Sequence, residues 1–86
     1  YRPPAIDVFN FEILNIETGE EAANLAKEIR EATGEKASAI LDAAANMWRV
    51  RVGDAMESIE EAEQFKNSLA EKGFADVVVV AEKKVQ

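Results

Sequence analysis

Arg49 and Arg51 stand two positions apart in Met47-Trp48-Arg49-Val50-Arg51-Val52. Residues at i and i+2 of a strand share a face, so the two guanidiniums project side by side. They can donate to a ligand or to a carboxylate on the neighbouring strand, such as Glu12, and both readings stay open. A cross-strand pair at an open surface would contribute little stability. Seventeen Asp and Glu side chains supply carboxylates, and paired carboxylates can hydrolyse glycosides. Most of them fall on helical stretches, and no pair stands in an evident cleft. The chain has no histidine and no cysteine. That removes imidazole acid–base chemistry, thiol nucleophiles, disulfides, Fe–S ligation and the common zinc sites. We therefore expect no enzyme, no cofactor and no metal.

The elements that position these residues are legible from periodicity. Eighty-six residues fit one small domain, and 48% apolar with 31% charged residues argue for a folded chain. The opening Tyr1-Arg2-Pro3-Pro4 and Ala5 read as a linker, residues 1–5, from a longer parent protein. The domain is expected over residues 6–82, with a tail over 83–86. Residues 6–16 alternate as a strand, with Phe9, Phe11 and Ile13 on one face and Asn10, Glu12 and Leu14 on the other. Thr18-Gly19-Glu20-Glu21 is a capping box, and Ala22, Leu25, Ala26 and Ile29 follow at helical spacing up to Gly34. Residues 37–42 read as a weaker strand and 43–46 as a turn with poor turn chemistry. Met47–Val52 reads as a strand closed by Gly53. Ser58-Ile59-Glu60-Glu61 is a second capping box, with Ile59, Ala62, Phe65 and Leu69 as the apolar face of a helix ending at Gly73. Residues 75–81 form the last strand.

The two capping boxes are an internal repeat, since Thr18-x-Glu-Glu-Ala22 recurs forty positions on as Ser58-x-Glu-Glu-Ala62. Two βαβ halves give β-α-β-β-α-β. The expected fold is α+β and RNP/ferredoxin-like: a four-stranded antiparallel sheet, both helices on one face, the first and third strands central.

The net charge of −7 belongs to the helices and their caps. Residues 17–36 hold three basic and six acidic groups and residues 54–72 two and six, leaving the rest neutral. This acidity argues against nucleic acid, as does the absence of an RNP1 pattern from the third strand. No apolar run is long enough for direct membrane insertion. The face left bare by the helices is the natural binding surface. Among the four consecutive valines, either Val78 and Val80 or Val77 and Val79 must point there. Trp48 shares parity with Val50 and Val52, which favours the core over the bare face.

Trp48-Arg49-Val50-Arg51-Val52-Gly53, followed by Glu60-Glu61-Ala62, Leu69, Gly73 and the valine-rich end, resembles the second half of a SPOR domain. The first half fits more loosely, through a strand, Glu20-Glu21-Ala22, Leu25 and Gly34. The resemblance covers about residues 6–82. It implies a non-catalytic module that recognises peptidoglycan glycan strands stripped of stem peptides. It also implies a bacterial envelope location, periplasmic or extracytoplasmic, and a parent protein of cell division, sporulation or wall remodelling. The first strand of that family often reads Val-Gln-x-Gly-Ser-Phe. Here the Gln position is Glu12, the Gly is Leu14, the Ser is Asn15 and the Phe is Ile16. An aromatic position before the first arginine is Met47, and the contact on the last strand is Val78. The glycan-binding set implied is thus Glu12, Asn15, Met47, Arg49, Arg51 and Val78. The alternative function is protein interaction or homodimerisation through the same sheet face or an edge strand.

Overall fold

The computed structural model describes residues 5–85. The elements run β1 (Ala5–Ile16), α1 (Gly19–Thr33), β2 (Ala37–Asp42), β3 (Met47–Met56), α2 (Ile59–Glu71) and β4 (Val78–Val85). All neighbouring strands are antiparallel, in the order β2-β3-β1-β4, so β1 and β3 are central as the repeat predicts.

Each capping box starts its helix through its hydroxyl. The Thr18 hydroxyl accepts from the Glu21 N–H at 3.1 Å and the Ser58 hydroxyl from the Glu61 N–H at 3.4 Å. The alanines that follow, Ala22 and Ala62, are both fully buried. Gly34 closes α1 in the left-handed region. After α2 the Phe74 N–H reaches the Leu69 carbonyl at 3.0 Å while Gly73 takes a positive φ, a Schellman-type ending that turns Phe74 onto the core.

One core forms between the helices and one sheet face. Phe11, Ile13, Val50, Val52 and Val77 meet Ala22, Ala26, Ile29, Ala62 and Leu69. Phe11 and Phe65 stack edge to face at 4.6 Å between ring centroids, which ties α2 to the middle of the sheet. Trp48 packs against this core, and its ring lies where a Cβ on Gly19 would come within 2.8 Å. The absence of a side chain at Gly19 therefore lets the first turn of α1 sit down on the indole.

Five details depart from the reading of the sequence. Gly53 does not end β3, which continues to Met56. With φ of 69° it forms a bulge instead: β3 spends five residues, Val52 to Met56, against three of β1, Phe11 to Phe9. β4 begins at Val78 and not at residue 75, because residues 74–77 form the turn out of α2. At its other end β4 runs through Val85, so residues 83–85 of the expected tail are strand. They pair with Ala5–Asp7, helped by a 2.8 Å contact between Lys83 and Asp7. Ala5 is correspondingly strand rather than linker, and the rest of that linker, residues 1–4, lies outside the described residues. Ile59 is not part of the buried face of α2. It is 45% exposed, because the first turn overhangs the sheet beside Ile6 and Phe9.

The Gly53 bulge yields a stability prediction. A Cβ there would force a non-glycine residue into positive φ and meet the Phe65 ring at 3.0 Å. Gly53→Ala should cost about 1–3 kcal/mol from these two sources. Urea denaturation followed by Trp48 fluorescence checks it. An unchanged midpoint would mean that the bulge relaxes without resistance.

Candidate functional site

The face of the sheet away from the helices carries the even-numbered residues of β1 and their cross-strand partners. Glu12 stands opposite Arg51 on β3 and Val78 on β4, while Asn10 stands opposite Val80. On the far side Arg51 faces Ser38, Arg49 faces Ile40 and Met47 faces Asp42. The valine run is therefore resolved: Val77 and Val79 pack toward the helices, and Val78 and Val80 lie on the open face, with Val78 39% exposed.

Glu12 lies at the centre of this face, yet it is only 1% exposed. Its burial comes from its neighbours rather than from a covering layer. Arg51 donates through Nε and Nη2 to Oε2 at 3.0 and 2.8 Å, and Arg49 donates through Nη1 to Oε1 at 3.4 Å. Both arginines stay partly open, with 32% of the Arg49 side chain and 38% of the Arg51 side chain accessible. The two pairings are unequal. Arg51 grips one oxygen through two nitrogens, whereas Arg49 makes a single longer contact and its Nε has no partner. The triad carries one net positive charge. A buried carboxylate left alone is costly, so the arginines are what permit it to occupy this position. Beside the triad the buried Asn10 donates to Glu82 at 2.8 Å and extends the polar network toward β4.

A one-residue bulge in β1 between Ile13 and Ile16 turns this end of the strand. Asn15 takes a φ of 62° there, which asparagine tolerates better than most residues. The β2–β3 turn folds beside it. Asp42 accepts from the Ala45 N–H at 3.3 Å and Asn46 adopts a φ of 53°, so the alanines between them need no turn propensity of their own. Between the bulge and the turn lies a cleft of about 160 Å³, walled by Leu14, Asn15, Asp42 and Ala45 and floored by Met47, Trp48 and Arg49.

The structure thus brings Asn15, Met47 and Arg49 together in one cleft and joins Arg49 to Arg51 through Glu12. Val78 lies across the triad from the cleft, paired with Glu12. Sequence reasoning did not single out Asp42, Ala45 or Leu14 as cleft residues. An Asp four residues before an Asn in a two-strand connection was the available signal. Trp48 was assigned to the core; it packs there and also lines the cleft.

The triad generates a prediction about stability. Replacing Arg49 and Arg51 together by alanine strips Glu12 of both partners and of its cover, and should cost about 1–3 kcal/mol, the worth of the lost charge-assisted hydrogen bonds. Adding Glu12→Leu to that variant should restore most of the loss, because an apolar side chain needs no partner. Chemical denaturation of the two variants checks this. A triple variant no more stable than the double would mean that the arginines stabilise through their stems alone.

Three observations now converge: the β-α-β-β-α-β sheet, the repeat of its capping boxes, and an arginine-bearing strand that carries a glycine bulge. Comparison with curated proteins and with solved structures gave no match. The family model for the SPOR domain matches residues 13–81. SPOR domains are peptidoglycan-binding modules of bacterial envelope proteins, including proteins of cell division. The match spans most of the chain, from the end of β1 into β4, and the chain belongs to the SPOR domain family.

Proposed function

We propose that this domain is a non-catalytic targeting module that binds peptidoglycan glycan strands, stripped of their stem peptides, on the open face of its sheet. The observation that carries this reading is the pair of half-open arginines held over a buried carboxylate on a face that no helix covers. Arg49 and Arg51 keep donors for sugar hydroxyl and carbonyl oxygens. Met47 and the exposed Val78 supply apolar contact for the ring faces, and Asn15 adds a polar group at the bulge. Glu12 has no surface to offer a ligand; its role is to aim the two guanidiniums. An open, shallow site of this kind gives modest affinity per domain, and a repeating polymer compensates by avidity. In its parent protein the domain brings a division, sporulation or wall-remodelling activity to the cell wall.

Among the described residues no helix is long and apolar enough to cross a membrane. The acidic charge sits on the helices, away from the open face, and leaves that face free for a neutral ligand.

Co-sedimentation with purified sacculi tests the proposal. The domain is expected to pellet with sacculi treated with an amidase that removes stem peptides, and not with untreated sacculi. No pelleting with either would overturn it in favour of the protein-interaction reading. Arg49→Ala combined with Met47→Ala should weaken pelleting about tenfold or more, the worth of a lost charge-assisted hydrogen bond. That variant should stay folded, because Arg51 still holds Glu12 through two contacts. Undiminished pelleting would move the site off this face.

A further inference from the structure

We propose that the cleft between the β1 bulge and the β2–β3 turn is a subsite for one uncharged pyranose ring, and that Asp42 excludes a carboxylate-bearing sugar from it. The inference rests on the glycan-binding reading above and adds a charge preference to it.

The cleft holds about 160 Å³, well below the roughly 300 Å³ at which drug-sized sites begin. That is room for a single ring, with the rest of a polymer running out over the open sheet. Its lining mixes apolar side chains, Leu14, Met47 and Trp48, with polar ones, Asn15, Asp42 and Arg49, a composition that suits a sugar. Met47 and Trp48 lie below, Arg49 brings donors, and Asp42 brings an acceptor. Asp42 spends Oδ1 on the Ala45 N–H. Among the described residues, no protein donor engages Oδ2, which leaves it to accept from a hydroxyl.

Charge then decides which ring fits. Glu12, Arg49 and Arg51 together carry +1, and Asp42 carries −1 on the other wall, so the cleft as a whole is neutral. A carboxylate entering it would meet Arg49 tethered to Glu12 by one 3.4 Å contact, and would face the Asp42 carboxylate directly. The net −7 of the chain adds no attraction for an anion. An uncharged ring meets none of these costs. Along a strand in which neutral and carboxylate-bearing sugars alternate, this would fix which residue enters the cleft, and so fix the register of the glycan on the sheet.

The probe is built in, because Trp48 is the sole tryptophan and lines the cleft. The domain would be titrated with a neutral N-acetylglucosamine tetramer and with a tetrasaccharide whose alternate rings carry a free lactyl carboxylate. Trp48 emission and its protection from acrylamide quenching would be followed. The neutral tetramer should saturate the emission change and protect the indole. Asp42→Asn keeps an oxygen for the Ala45 N–H while removing the charge. It should shift the ratio of the two affinities about two- to fivefold toward the carboxylate-bearing ligand, the worth of one exposed charge interaction. A flat Trp48 response to both ligands, in a domain that still pellets with stripped sacculi, would overturn the subsite while leaving the targeting function intact. A Trp48 response whose ligand preference is unchanged in Asp42→Asn would overturn the charge selection. Failure in both assays would remove the glycan reading itself.

Discussion

A buried carboxylate at the centre of an uncovered sheet is the constraint on which the rest of this face depends. Glu12 has almost no access to water, although no layer lies above it. Its place there depends on Arg51 and Arg49, which reach over it from the neighbouring strand. Those contacts fix the arginines as much as they neutralise the glutamate. Two long side chains that would otherwise sample many rotamers are held with part of each open to solvent, and on the reading proposed above a ligand would meet donors already in place. The inequality of the pair matters. Arg51 is tied down by two nitrogens, and Arg49 by one longer contact on the side that borders the cleft.

The helices contribute to this arrangement from the other side. α1 and α2 pack on one sheet face and leave the triad face free. The repeated capping boxes start both helices in equivalent ways, and the small alanines after them bring each helix close to the strands. Gly19 and Trp48 fit together at the end of the sheet where the cleft opens, so the indole is supported by α1 from behind and lines the cleft in front. The two bulges do complementary work. The one at Gly53 carries β3 past the end of its pairing with β2, toward α2. The one at Asn15 turns β1 toward the β2–β3 turn and closes the cleft.

Much of this was legible in the residues, and the exceptions have a common cause. Strand parity placed Glu12, Met47, Arg49 and Arg51 on one face and Trp48 in the core, because a period of two leaves no freedom once the helices choose a side. The topology followed from the repeat. Parity, however, says which face a residue is on and nothing of how covered it is. The burial of Glu12 and Asn10 comes from the lengths of Arg49, Arg51 and Glu82 on adjacent strands, a tertiary fact. Element ends were misread for a similar reason. Gly53 looks like a stop but serves as a bulge, and Lys83 and Lys84 look like a tail but find a strand opposite them, with Asp7 as partner to Lys83. The cleft was missed because its walls come from two connections far apart in sequence, each held by side chain or backbone details that periodicity does not report.

The central claim is that ligand recognition occurs on the helix-free face, around the arginines that Glu12 holds. Amide chemical-shift mapping of the labelled domain with solubilised, peptide-free glycan addresses it most directly. Perturbed residues should cluster on that face, along β3, β1 and the start of β4 around Met47, Arg49, Arg51 and Val78, with α1 and α2 silent. Perturbations centred on the helices, or on the β4 edge alone, would contradict it.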